Sequence, residues 1–240
     1  TVAITNVVAS SIARQVGEGI YQYAGPEISV ASTKAFTSQA TILLMLSVLL
    51  GRKNALSAMD AKRYISNIRK LPELVSQTTQ DCNEKVRALA GKFSLYTKID
   101  FLGRQYLYPI ALEGALKTKE LSYIHAHGYP AGEMKHGPLA TVGMGYLCFY
   151  LATQESLREK NISNMKELKA RDCHVVVIAQ QGQSLPKDCY DYLIEIPRAE
   201  EYISPILSVI PLQLFSMYLA QKKNYNVDRP RHLAKSVTVE

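Results

Sequence analysis

No two cysteines of this 240-residue chain stand as a C-x-x-C pair. The four present, Cys82, Cys148, Cys173 and Cys189, are far apart, and two of them fall in or beside apolar runs. That pattern gives no support to a disulfide framework and reads as buried free thiols in a reducing compartment. No consecutive apolar run reaches the roughly 18 residues that a bilayer span requires. The most apolar stretch, ATILLMLSVLLG (40–51), is expected to be a buried helix, and no membrane partner is expected. The chain opens on TVAITNVV, without a basic leader or a small-residue cleavage site, so no secretory signal is expected. GxGxxG, Walker and HExxH motifs are all missing, which removes support for nucleotide or zinc-protease chemistry. His125 and His127 are two apart, a spacing that splays side chains on a helix. No metal and no cofactor are expected.

What is present is ordinary globular material: 47% hydrophobic, 20% charged, 13 Gly and 10 Pro. Such a chain suits one large domain or two modest ones and can bury a sizeable core. The net charge is +7, but the bases are scattered among acids, as in DAKRYISNIRKLPELV (60–75), and only 222–235 is locally basic. With no aromatic-rich basic motif, a nucleic-acid partner is not expected. A solvated surface or an anionic small-molecule site accounts for the charge.

Short apolar runs alternate with helical patterns. VAITNVV (2–8) and GIYQYA (19–24) read as strands, with Ala9, Ser10 and Ser11 as loop. Helices are expected over 33–50 and 57–80, the second kinked or split by Pro72, and continuing through 81–93. Strands follow at 99–103, 145–152, 173–179 and 192–197, with helices over 110–125, 156–171 and 203–223. The last fifteen residues read as an extended tail. This alternation is the signature of a doubly wound, parallel α/β sheet covered on both faces, with ligands bound at the strands' carboxyl ends. The expected division is 1–80, 81–225 and a tail 226–240. Only the second part looks complete, since two strands are too few for a parallel sheet, and an upstream portion is expected to be missing.

Three segments carry candidate chemistry. In EGALKTKE (113–120), Glu113, Lys117 and Glu120 sit at i, i+4 and i+7 and share one helix face. Read alone, the stripe is a solvated surface with weak ion pairs. Leu112, Ala115, Leu116 and Leu121 cover much of the rest, however, so the stripe can instead line a cleft at the sheet's carboxyl edge. There a lysine beside a carboxylate suits proton transfer on carbon. In GEMKHGPLA (132–140), Gly132, Gly137 and Pro138 hold His136 just ahead of a helix start. Histidine exchanges protons near neutral pH. In the tail, Leu233, Ala234, Val237 and Val239 flank Lys235 and suggest that it packs down at a fixed place, where a lysine can pair with phosphate or form an imine with a carbonyl sugar. Finally, VASTKAFTSQ (30–39) opens a helix with Ser32 and Thr33, which either cap it or, with its free N–H groups, bind anions or sugar oxygens.

These segments together, with GRQYLYPIALEGALKTKELSYIHAHGYPAGEMKHGPLA, AGPEISVASTKAFTSQ, EEYISPILSVIPLQLFSMYLA and DRPRHLAKSVTVE quoted whole, closely resemble the isomerase half of the glutamine–fructose-6-phosphate aminotransferases. The resemblance covers essentially the whole chain. It implies two sugar isomerase (SIS) modules, flavodoxin-like α/β sheets, here with the first truncated and the second complete. It also implies a cytoplasmic enzyme in which an N-terminal glutaminase domain supplies ammonia. The isomerase half joins that ammonia to fructose 6-phosphate and isomerises the product to glucosamine 6-phosphate. By the same resemblance Glu120 is the base that moves a proton between C1 and C2, and Lys117 helps polarise the sugar's oxygens. His136 opens the sugar ring from the neighbouring subunit of a homodimer. Lys235 meets the open-chain carbonyl with Ala234 beside it, and Val30 and Ser32 touch the substrate. Some features depart from the family's pattern. The glutaminase domain and the Ser/Thr-rich loop that cradles the sugar phosphate are absent, GRQYLYP is poor in glycine, and His127 replaces a common glutamate. Weak activity or none is therefore expected of this chain alone. The alternatives are a phosphosugar-binding SIS module without catalysis, or an amino-sugar deaminase or isomerase of the same kind.

Overall fold

The structure, a computed structural model, describes residues 1–235. Residues 1–70 with 231–235 form one compact unit and Leu71–Pro230 a second. In the first, β1 (Ala3–Thr5) leads through a short helix, α1 (Ser11–Val16), to β2 (Gly19–Tyr21), which pairs with it in parallel. Both strands are shorter than the apolar runs that announce them. α1 follows the expected loop residues Ala9 and Ser10 and takes in only Ser11 of that loop: Ser10 caps it by accepting from the Ala13 amide, and Gly17, at φ 72°, ends it. Six residues are too few to show a helical period. Two longer helices follow, α2 (Lys34–Lys53) and α3 (Ala58–Arg69), the latter capped by Ser57.

α2 corrects an expectation. The apolar run is not a buried helix: Val48 is its only buried residue, and Leu43, Met45, Leu49 and Leu50 are all exposed. Counting only consecutive apolar residues also understated its length. At 20 residues it is long and apolar enough, by length and composition, to cross a membrane, a measure that core helices of ordinary domains also meet.

The second unit begins with α4 (Leu71–Lys92), unbroken through residue 80, so the boundary expected at 80/81 lies inside a helix. The expected stretch 57–80 is split, not kinked: α3 ends at Arg69 and α4 starts at Leu71, with Pro72 in the first turn, where the missing N–H of a second-position proline has no intrahelical partner to lose. The unit then runs β3 (Lys98–Gly103), α5 (Tyr108–Ser122), β4 (His127–Pro130), β5 (Tyr146–Leu151), α6 (Arg158–Lys169), β6 (His174–Gln180), β7 (Tyr192–Ile196) and α7 (Ser204–Lys222). The five strands are parallel in the order β4-β3-β5-β6-β7. Relative to β3 as first strand this is 2-1-3-4-5, the flavodoxin-like order, with its switch point between β3 and β5.

Alternation along β3 assigns the faces. Phe101 points toward α5 and α7, where a Cβ on Gly114 would stand 2.9 Å from its ring and 2.7 Å from Leu212. Leu102 points the other way, into a core shared with Ile162, Met165 and Leu168 of α6. β4 has no counterpart in the expected strands, because HGYP is a four-residue, half-buried edge strand with glycine and proline in it. α5 stops at Ser122 because Tyr123 adopts φ 57°. All four cysteines are free and buried, and burial pushes the Cys82 thiol up to about 11.

Candidate active site

At four positions of α5 the usual amphipathic logic is inverted. Leu112 and Leu116 are 43% and 44% exposed, whereas Glu113 and Lys117 are 7% and 2% exposed. Of the apolar residues expected to cover the rest of the helix, Leu112 and Leu116 face outward while Ala115 and Leu121 are buried, and the charged stripe is not a solvated surface. Lys117 Nζ lies 3.5 Å from Glu113 Oε1 and donates to Glu120 Oε2 at 2.5 Å. A buried ammonium is tolerable only when such partners replace its water. Glu120 is the member that opens to solvent, with 21% of its side chain exposed. The result is a fixed cation beside an accessible carboxylate, the pair needed to take a proton from carbon while charge develops on a neighbouring oxygen. The expected position at the sheet's carboxyl edge is corrected. α5 runs back antiparallel to the strands, so Glu120, in its last turn, lies toward the amino edge.

His136 ends a 3₁₀ turn, Ala131–His136, pinned by the buried side chains of Ala131 and Met134. Gly137 follows at φ 140°, and Pro138 starts the next turn, Pro138–Thr141. The histidine is exposed. Its turn packs on the α6 side with Leu102, so within one chain the sheet separates His136 from Lys117 and Glu120.

The first unit holds the other candidates. Lys235 Nζ lies 3.5 Å from Glu27 Oε2. Glu27 Oε1 accepts from the Thr33 amide at 2.7 Å and the Ala35 amide at 3.4 Å. Glu27 was missed in the sequence, and no local spacing marks it, because the acid that caps α2 comes from six residues before the N-cap Thr33. It takes the anion's place at this helix start, and Thr33 makes no side-chain cap bond. Burial raises the Glu27 pKa, but the two amides and Lys235 outweigh it and leave it lowered. Val30 and Ser32 are half-buried on the loop between, while Ala234 and Lys235 are exposed. Leu233 is 46% exposed, against the expectation of a packed tail. Val237 and Val239 lie outside the described residues.

A second overlooked group surrounds Asp100, 1% exposed in the middle of β3. Its Oδ2 accepts from Tyr146 at 2.8 Å, and its Oδ1 lies 3.8 Å from Nδ1 of His127, its register partner on β4. Burial pushes the Asp100 carboxyl up to about 6 against the opposing Tyr146 bond. Burial, His125 and Lys119 together lower the pKa of His127. Among the described residues no three His, Cys, Asp or Glu side chains are grouped to hold a metal ion.

An all-parallel sheet in flavodoxin-like order, with helices on both faces, defines a doubly wound α/β domain. The chain belongs to the SIS domain family, whose pattern matches residues 93–222. It is 45% identical over 240 residues to the glutamine–fructose-6-phosphate aminotransferase (isomerizing) of Caldanaerobacter subterraneus subsp. tengcongensis, covering 100% of this chain and 39% of that protein. The enzyme of the same name from Methanosarcina acetivorans is 44% identical, with 100% and 39% covered. The C-terminal domain of glucosamine-fructose-6-phosphate aminotransferase from Francisella tularensis superposes with a TM-score of 0.90 at 34% identity, over 95% of this chain and 65% of that one. The chain thus spans about two fifths of the length of the curated relatives it matches.

Proposed function

We propose that this chain is the isomerase part of a glutamine–fructose-6-phosphate aminotransferase, converting fructose 6-phosphate and ammonia to glucosamine 6-phosphate. The observation that carries the reading is the buried Lys117 held between Glu113 and Glu120 on a helix that turns Leu112 and Leu116 to solvent. In this reading Glu120 shuttles the proton between C1 and C2, and Lys117 supports charge on the sugar's oxygens. Lys235, with Ala234, Val30 and Ser32, meets the open-chain sugar. His136 serves ring opening in a second copy of the chain, a homodimeric arrangement that fits its place on the opposite face of the sheet from Glu120. Ammonia comes from a glutaminase domain elsewhere in the full-length protein. Four buried free thiols fit a reducing, cytoplasmic setting.

The test is exchange of solvent deuterium into fructose 6-phosphate by the full-length protein and by its Glu120→Gln variant. Exchange that disappears in the variant is the expected result. Saturable binding of the sugar phosphate with equal, background exchange in both proteins would replace this reading with a binding module that lacks catalysis.

A further inference from the structure

We propose that Asn164 is a positioning residue for His136: one buried amide ties the carboxyl end of the central strand to the turn that carries the histidine. Arg104 leaves β3 directly, and its Nη2 donates to Asn164 Oδ1. The Tyr150 hydroxyl of β5 lies 3.5 Å from the same oxygen and 3.2 Å from Oδ1 of Asn161. On its other side Asn164 Nδ2 donates to Glu167 Oε2 at 3.3 Å. Glu167 Oε1, 3.5 Å from the Ser163 hydroxyl, meets Lys135 Nζ at 2.9 Å. Lys135 immediately precedes His136. Arg104 also lies under the turn itself, for a Cβ on Gly132 would stand 3.3 Å from Nη1.

The order of the relay is fixed by chemistry. A guanidinium only donates, so the amide oxygen must face Arg104 and the amide nitrogen must face Glu167. A lysine–glutamate pair this exposed, at 58% and 23%, is by itself worth about 0–1 kcal/mol and does not hold a turn in one orientation. The buried Met134 and Ala131 set the depth of the turn, but a methionine is a pliable anchor. Asn164, 6% exposed and bonded on both sides, gives Glu167 one position and hence Lys135 one direction. Because Arg104 also opens the loop that leads into α5, the same relay joins the segment carrying His136 to the start of the helix carrying Lys117 and Glu120.

This inference rests on the proposed role of His136, and its test separates the two. Asn164→Asp keeps the shape and the Arg104 contact but sets a carboxylate against Glu167. Asn164→Leu removes both contacts at similar volume. Asn164→Asp with Glu167→Gln restores the pairing in reverse order. Amide hydrogen exchange is measured on the full chain for all three. In both single variants, exchange over residues 132–137 is expected to accelerate at least about tenfold, with β5 and β6 unchanged, and to return toward wild type in the swap. In fructose 6-phosphate deuterium exchange, Asn164→Asp is expected to lower kcat about tenfold with KM within about twofold. It should add nothing to the loss caused by His136→Asn. Unchanged protection at 132–137, no recovery in the swap, or a loss fully additive with His136→Asn each overturns the relay. Absence of sugar exchange in the full-length wild-type protein would overturn the catalytic reading instead, while the amide data still decide the relay.

Discussion

Lys235 reaches one oxygen of Glu27 while the other oxygen of Glu27 receives the first amides of α2. The lysine that the resemblance assigns to the sugar carbonyl is thus held by the residue that caps a helix. Replacing Glu27 by alanine is expected to cost about 1 kcal/mol through the lost cap. Because folding lowers the Glu27 pKa from 4.5, its contribution is fully present above that value and fades as pH falls through the lower folded value. Thermal unfolding from pH 7 down to pH 3 should show the gap between wild type and Glu27→Ala closing with acid. A gap that stays constant would mean that neither the cap nor the lysine contact depends on the charge.

The buried stripe of α5 makes opposite predictions for its members. Lys117→Met leaves Glu113 buried without its cation and is expected to cost about 3 kcal/mol in denaturant unfolding. Removing the charge from both ends, in Lys117→Met with Glu113→Gln, should recover most of that loss. Glu120→Gln, at the open end, is expected to change stability by less than about 1 kcal/mol while abolishing deuterium exchange into fructose 6-phosphate. If Lys117→Met unfolds no more easily than wild type, Lys117 does not neutralise Glu113.

Gly114 tests how closely α5 approaches the sheet. A methyl there would stand 2.7 Å from Leu212 and 2.9 Å from the Phe101 ring. Alanine normally gains up to about 1 kcal/mol over glycine within a helix, whereas overpacking costs about 1–3 kcal/mol. Gly114→Ala is therefore expected to lower the unfolding midpoint despite its better helix propensity. A raised midpoint would place the helix farther from β3 than the structure has it.

The central strands and long helices were legible in the sequence because buried strands are continuous apolar runs and long helices repeat their period several times. α1 and β4 were not, since six and four residues leave no room for a pattern. The site was half legible. The spacing of Glu113, Lys117 and Glu120 put them on one face, but spacing carries no information about which face turns inward. Here the charges went in and Leu112 and Leu116 went out. Glu27 and Asn164 were invisible for another reason: each works through partners brought together by the chain's return, Lys235 for one and Arg104 with Lys135 for the other. Asp100 lay unremarked within the expected strand 99–103, and only the register of β3 with β4 puts His127 opposite it.

That last pair sets a pH dependence whose sign runs against the usual carboxylate. Asp100 is buried beneath Tyr146, with His127 and Tyr129 from β4 and Cys148 from β5 as its titratable neighbours. Folding raises its pKa from 3.8 to about 6, so the folded chain holds this proton where the unfolded chain has lost it. The stability contributed by the neutral form is fully present below about pH 4 and is lost as pH rises through 6. The loss amounts to roughly 3 kcal/mol at most, of which the Tyr146 bond to the carboxylate is already part. His127, its pKa lowered from 6.5, works in the opposite direction, costing stability as pH falls through 6.5. It is common to wild type and variant, so it largely cancels in their difference. Asp100→Asn keeps the size of the side chain and an acceptor for Tyr146 but has no charge to bury. It is expected to match wild type near pH 4 and to exceed it by about 1–3 kcal/mol at pH 7.5 in urea unfolding. A variant less stable than wild type at pH 7.5 would show that the ionised Asp100 is worth more to the fold, through Tyr146 and His127, than its burial costs.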